Sequence, residues 1–128
     1  MDNSISERSE HSDKAVFDLS KALEVVEGDI ELFKELVKLF LKNVPDNLVQ
    51  IQHGLAKSDA NVVERAAHSL KGSVSNFAAT RAFEAAYRLE VLGREGRLGE
   101  GETALSKLDE ELNLLKSAMN EVLAGDEE

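Results

Sequence analysis

Apolar residues recur along this chain at spacings of three and four, and no stretch alternates with period two, so the pattern predicts helices throughout. The last element is the clearest. In ETALSKLDEELNLLKSAMNEVL the residues Leu105, Leu108, Leu112, Leu115, Met119 and Val122 alternate the two spacings, which is the pattern of a bundle seam. Upstream, IELFKELVKLFLKNV sets Ile30, Phe33, Val37, Phe40 and Leu41 at helical spacing behind Asp29, which reads as an N-cap. Pro45 either kinks that helix or opens a new one through Leu48, Ile51 and Leu55. A shorter element carries Phe17, Leu19, Leu23 and Val26 and stops at Gly28. After a turn at AKSDAN, residues 60–76 form a further helix. TRAFEAAYRLEVLGREG forms another, capped by Thr80 and stopped near Gly93 or Gly96.

Helical elements joined by short connections predict an all-α fold, an antiparallel four-helix bundle with a short additional N-terminal helix. The bundle is expected over residues 15–124, between a disordered polar tail at 1–14 and an acidic end at 125–128. No internal repeat and no mark of a second domain appear, and 128 residues suffice to close one core without disulfides or metal.

Composition narrows the function. Without cysteine the chain has no disulfide framework, no cysteine zinc site and no thiol chemistry, and it suits a reducing compartment. MDNSISERSEHSDK lacks the cationic start and apolar run of a secretory signal, and no apolar run approaches the roughly 20 residues of a membrane span. A soluble, cytoplasmic, monomeric protein is expected. The formal charge of −10 argues against nonspecific binding to nucleic acid or to an anionic membrane, and the acidic residues read as solvated helix faces. GREGRLGEG lacks the GxxxxGK[ST] order and follows no strand, so it reads as a helix connector and not as a nucleotide loop. His11, His53 and His68 are scattered and form no i, i+4 pair, so no metal site is expected.

The helix over 60–76 carries the chemistry. On a helical wheel Val63, Ala66, Leu70, Val74 and the following Phe77 make one apolar stripe, and His68 lies nearly opposite, facing water. Its neighbours within two turns are Glu64, Arg65, Lys71, Gly72 and Ser75. Gly72 costs a helix roughly 1 kcal/mol relative to alanine, and it clears the space beside the imidazole. Lys71, at i+3, can reach an anion carried on the ring. Imidazoles titrate near 6.5, so a substantial neutral, nucleophilic fraction exists at about pH 7. An exposed nucleophile, an adjacent cation and cleared space describe a group that accepts and donates a phosphoryl unit. Ser73 reads as bonding back to a carbonyl one turn earlier, and Asn76 as a helix-end residue.

AHSLKGSVSN resembles the motif of histidine-containing phosphotransfer (HPt) domains: a phospho-accepting histidine, a lysine three on, a glycine four on, a small residue, and an asparagine eight on. The likeness runs from about residue 17 to 123 and includes LEVVEGDIELFKELVKLFL and the Leu89-Glu90 pair. It implies a four-helix bundle that relays phosphoryl groups between the aspartates of receiver domains, in response regulators or hybrid sensor kinases. By position it implies phosphorylation of His68, with Lys71 neutralising the phosphoryl group. Gly72 is implied as a docking position, and its neighbours Glu64, Arg65 and Ser75 are read as docking positions with it. Such a relay needs no cofactor and no kinase activity of its own. Ala78 stands where many members have glycine. The competing reading is a helical-bundle interaction or dimerisation module that never carries phosphate.

Overall fold

The structure, a computed structural model, describes residues 15–125. The expected tail at 1–14, with His11, and the last three residues of the expected acidic end lie outside them. The described residues form five α-helices and a single 3₁₀ turn: α1 Leu19–Val25, α2 Ile30–Ala56, α3 Ala60–Ser75, α4 Thr80–Glu95, the turn Leu98–Glu100, and α5 Gly101–Gly125. Each long helix packs on the next in sequence, and α5 returns against α2, which closes a four-helix bundle with α1 leaning on α2.

Aspartates start the first three helices. Asp18, Asp29 and Asp59 each accept a hydrogen bond from the backbone N–H three residues on, at 3.1, 3.0 and 3.2 Å, and such a cap stabilises by about 1 kcal/mol. The predicted cap of α4 does not form. Thr80 lies inside the helix, Ala79 holds the cap position with no side-chain hydrogen bond, and the Arg81 N–H instead donates to the Ala15 carbonyl at 3.1 Å. The N-terminal segment thus supplies the acceptor that Thr80 was expected to provide.

Pro45 lies inside one continuous helix, so neither a break nor a second helix occurs there. Its ring is exposed, and the hydrogen bond lost with its N–H lies on the side where water can replace it. Helix α4 runs past Gly93 and stops at Gly96, whose φ of 71° is left-handed, with the Arg97 N–H donating back to the Leu92 carbonyl at 2.9 Å. Gly93 serves packing: a Cβ there would stand 2.7 Å from the backbone nitrogen of Glu64. Helices α3 and α4 therefore approach closely.

The predicted stripe of α3 is buried from Val63 to Phe77, as is the seam of α5 from Leu105 to Met119. Phe77 closes an aromatic cluster, 6.1 Å from Phe33 and 5.2 Å from Phe40 between ring centroids, and Phe17 stacks on Phe33 at 6.1 Å. Burying one such ring stabilises by about 1.5–3 kcal/mol, and the cluster fixes the end of α3 against α2. Two acidic residues contradict the expectation of solvated faces, because Glu90 is 3% and Glu111 2% exposed. Both fall within apolar stripes, one turn beyond Ala86 and Leu108, and both are buried as ion pairs.

Candidate functional site on helices α3 and α4

With its apolar stripe against the core, α3 turns His68 outward, and the side chain is 66% exposed. One ring nitrogen is nevertheless held. Nδ1 lies 2.9 Å from Oε2 of Glu90, which projects from α4. Burial, the largest single influence on Glu90, pushes its carboxyl up. The hydrogen bonds and charges of Lys71 and His68 together outweigh it and hold the carboxyl below its ordinary 4.5. Glu90 is therefore ionised at neutral pH and can only accept. The proton of the neutral ring must then sit on Nδ1, and Nε2 carries the free lone pair. An exposed imidazole whose tautomer is fixed by a buried carboxylate is a prepared nucleophile.

The same carboxylate gathers two cations. Lys71 Nζ lies 2.8 Å from Glu90 Oε1, and Arg94 Nη2 lies 2.8 Å from Oε2. Arg94 reaches on through Nε to Glu64 Oε2 at 3.1 Å, so Glu64, His68 and Lys71 of α3 are laced to Glu90 and Arg94 of α4. Lys71 also sits over two rings of α4, 5.1 Å from the Tyr87 centroid and 5.8 Å from that of Phe83. Lys71 and Arg94 answer Glu90 and Glu64 charge for charge, so His68 stands beside two cations in a locally balanced cluster within a chain of charge −10.

The remaining positions singled out in the sequence divide. Gly72 is exposed, and a Cβ built on it would meet nothing within 4 Å, so packing does not require the glycine. Ser75 is exposed with its hydroxyl donating to the Gly72 carbonyl at 2.7 Å, and Ser73 donates to the Ser69 carbonyl at 3.2 Å, the back-bond expected of it. Arg65 turns the other way, into a groove with Gln50, His53 and Val62 on the α2 side. Asn76 ends α3 in right-handed geometry, and the left-handed residue of the turn is Ala78, with φ 53°. Among the described residues no three metal-ligating side chains come together.

Glu90 and Arg94 are what the residue pattern around His68 did not bring forward. Glu90 had a signal, since a glutamate at i+4 from Ala86 and i+1 from Leu89 falls within the buried stripe of its helix. Arg94, at i+4 from Glu90, follows from it.

The chain matches the Hpt domain family over residues 35–118. Its fold is similar to that of histidine-containing phosphotransfer protein B from Pseudomonas aeruginosa PAO1, with a TM-score of 0.77 and 21% identity over 82% of this chain and 91% of that one. It is also similar to the HPT domain of a sensor hybrid histidine kinase from Shewanella, with a TM-score of 0.74 and 20% identity over 86% of this chain and 95% of that one. No curated protein matches the sequence.

Proposed function

The chain belongs to the Hpt domain family, and from that premise we propose that it is a phosphorelay intermediate whose His68 takes a phosphoryl group from one receiver-domain aspartate and gives it to another. The observation that carries this reading is the Nδ1–H donated to buried Glu90, which leaves Nε2 bare on an exposed ring beside Gly72.

In the transfer, the Nε2 lone pair attacks phosphorus, the N–P bond forms, and the P–O bond of the aspartyl phosphate breaks with its electron pair returning to the receiver's carboxylate. Nδ1 keeps its proton throughout. The ring gains positive charge as Nε2 gives up its lone pair, and Glu90 already stands against the N–H where that charge is shared. Lys71, and Arg94 beside it, offset the negative charge of the phosphoryl group. The phosphoimidazole and the acyl phosphate are both activated, so the step runs in either direction. The protein generates no phosphate from ATP in this reading. Its partners are receivers of response regulators or hybrid sensor kinases in the cytoplasm. Gly72 gives the receiver access, with Glu64 and Ser75 on the same face, while Arg65, turned toward α2, stands apart from it. No helix among the described residues is long and apolar enough to cross a membrane.

The test mixes the protein with a panel of receiver domains charged from acetyl phosphate and follows acid-labile, alkali-stable phosphate by mass spectrometry. One or more receivers should charge the parent, and His68→Gln should abolish the label with nearly unchanged melting, because the exposed ring packs little. A label retained by the variant would overturn the assignment of His68. A parent that no receiver charges would favour the interaction-module reading.

A further inference from the structure

Two lysines of this protein hold buried carboxylates, and they sit very differently. Lys107 lies 2.9 Å from Glu111, which is as buried as Glu90, yet the Lys107 side chain stays 59% exposed. Lys71 lies 2.8 Å from Glu90 and is only 19% exposed. Pairing with a buried anion therefore does not by itself draw a lysine in. Two things set Lys71 apart: it crosses from α3 to α4 where Lys107 pairs within α5, and Phe83, Tyr87 and Glu90 stand at i, i+4 and i+7 on α4, so that the two rings wall the space in which the Lys71 ammonium meets the carboxylate.

Tyr87 itself is 46% exposed, and its ring is the nearer of the two to Nζ. A lysine stem is long and flexible, and an ammonium in water gains from leaving a single ion pair for full hydration. A ring face opposes that departure in two ways. It attracts the cation directly, and it keeps water from the ion pair, which raises the strength of the charge interaction behind it.

We propose that Tyr87 is a positioning residue for the reaction at His68, holding the Lys71 ammonium against Glu90 so that it already stands beside the imidazole when the phosphoryl group arrives. This rests on the phosphotransfer reading of His68. His68 and Lys71 share the two oxygens of one carboxylate, so the pinned ammonium is a fixed neighbour of the ring. A free lysine would have to be recruited from solvent at each transfer.

The experiment compares the parent with Tyr87→Phe, which keeps the ring, and Tyr87→Leu, which keeps an apolar side chain without a π face. Nitrogen-15 relaxation of the lysine ammonium groups in unphosphorylated protein reads the mobility of Lys71 Nζ. Charging by phosphoramidate, a small donor that needs no docking surface, reads the chemistry. Tyr87→Leu should mobilise Nζ and slow charging roughly two- to five-fold, the range that one exposed cation–π contact supports, and Tyr87→Phe should do neither. In a Lys71→Ala background the Tyr87→Leu effect on charging should vanish.

Parental Nζ mobility in Tyr87→Leu would overturn the proposal, as would a slowing that persists without Lys71, or a mobilised Nζ with charging unchanged. If phosphoramidate fails to charge the parent and receivers fail as well, the phosphotransfer reading falls, while the relaxation data still decide whether the ring holds the ammonium.

Discussion

The Glu90 carboxylate, 3% exposed, accepts the Nδ1–H of the exposed His68 ring at 2.9 Å. A buried anion thereby fixes the tautomer and orientation of a solvent-facing base, and each residue limits what can replace the other. Neutral imidazole tautomers interconvert freely in water, so without Glu90 the ring would present Nε2 as a bare lone pair for only part of the time.

Glu90→Gln isolates the charge from the hydrogen bond. Glutamine retains an oxygen that can accept from Nδ1–H, but it offers no charge to the ring as Nε2 bonds to phosphorus and none to Lys71 or Arg94. Charging of His68 should slow roughly ten-fold, a loss of about 1.4 kcal/mol of transition-state stabilisation. Time courses with a charged receiver check this. A variant that charges at the parental rate would reduce Glu90 to a structural ion-pair partner.

Glu111 offers a prediction on pH that the functional site does not confound. Its burial, the largest influence, pushes the carboxyl up, but hydrogen bonds and charges from Lys107 and Arg81 outweigh it, so the folded protein holds the group below its ordinary 4.5. A group depressed on folding contributes stability that is fully present above its unfolded pKa and is lost as pH falls through the folded one. Stability to urea should therefore decline as pH drops below about 4.5. Glu111→Gln should flatten part of that decline while costing about 1–3 kcal/mol at neutral pH. An acid slope identical to the parent's would show that the ion pair is not linked to folding.

How much of this was legible beforehand follows the physics of each feature. Helical periodicity reports one-dimensional burial, so the stripe of α3 and the seam of α5 were readable, as was the outward direction of His68. Glu90 and Glu111 look solvated in the sequence because a carboxylate's charge suggests water before its position suggests the core. Burial reversed that once Lys71, Arg81, Arg94 and Lys107 supplied partners from neighbouring turns and helices. Thr80 looks like a cap because threonine is a residue type that caps. The Ala15 carbonyl that takes over lies 66 positions before Arg81, whose N–H it accepts, and local patterns carry no trace of it. Gly72 and Gly93 look alike in sequence, yet one faces open space and the other the backbone of a second helix.

Ala78 carries the strain of the turn between α3 and α4. At φ 53° it occupies the left-handed region, which costs a residue with a Cβ about 1–2 kcal/mol. Ala78→Gly removes that cost and returns part of it as extra freedom of the unfolded chain. The net expectation is a gain of up to about 1 kcal/mol, read as a higher urea midpoint with unchanged charging of His68. A lower midpoint would mean that the half-buried methyl contributes more by packing than it costs in strain.

The two helix glycines give the last prediction, with one serving as control for the other. A methyl on Gly93 would stand 2.7 Å from the Glu64 nitrogen and 2.9 Å from the Ala60 carbonyl oxygen, both backbone atoms, so Gly93→Ala must separate α3 from α4 and should destabilise by at least about 1–3 kcal/mol. A methyl on Gly72 meets nothing within 4 Å, so Gly72→Ala should be neutral or stabilising by up to roughly 1 kcal/mol, because alanine is the better helix former. The glycine at 72 is therefore a choice that folding does not ask for. If it is there to let a receiver approach His68, Gly72→Gln should keep the helix and the parental melt while sharply slowing transfer from the receiver. Charging by a small donor such as phosphoramidate should be much less affected, since that donor needs no flat surface around the ring. Thermal melts and paired time courses with the two donors separate the cases. If Gly72→Gln takes phosphate from the receiver as fast as the parent does, the cleared space is not a docking site. If both donors slow equally, the glutamine obstructs the imidazole itself and not the approach of a partner.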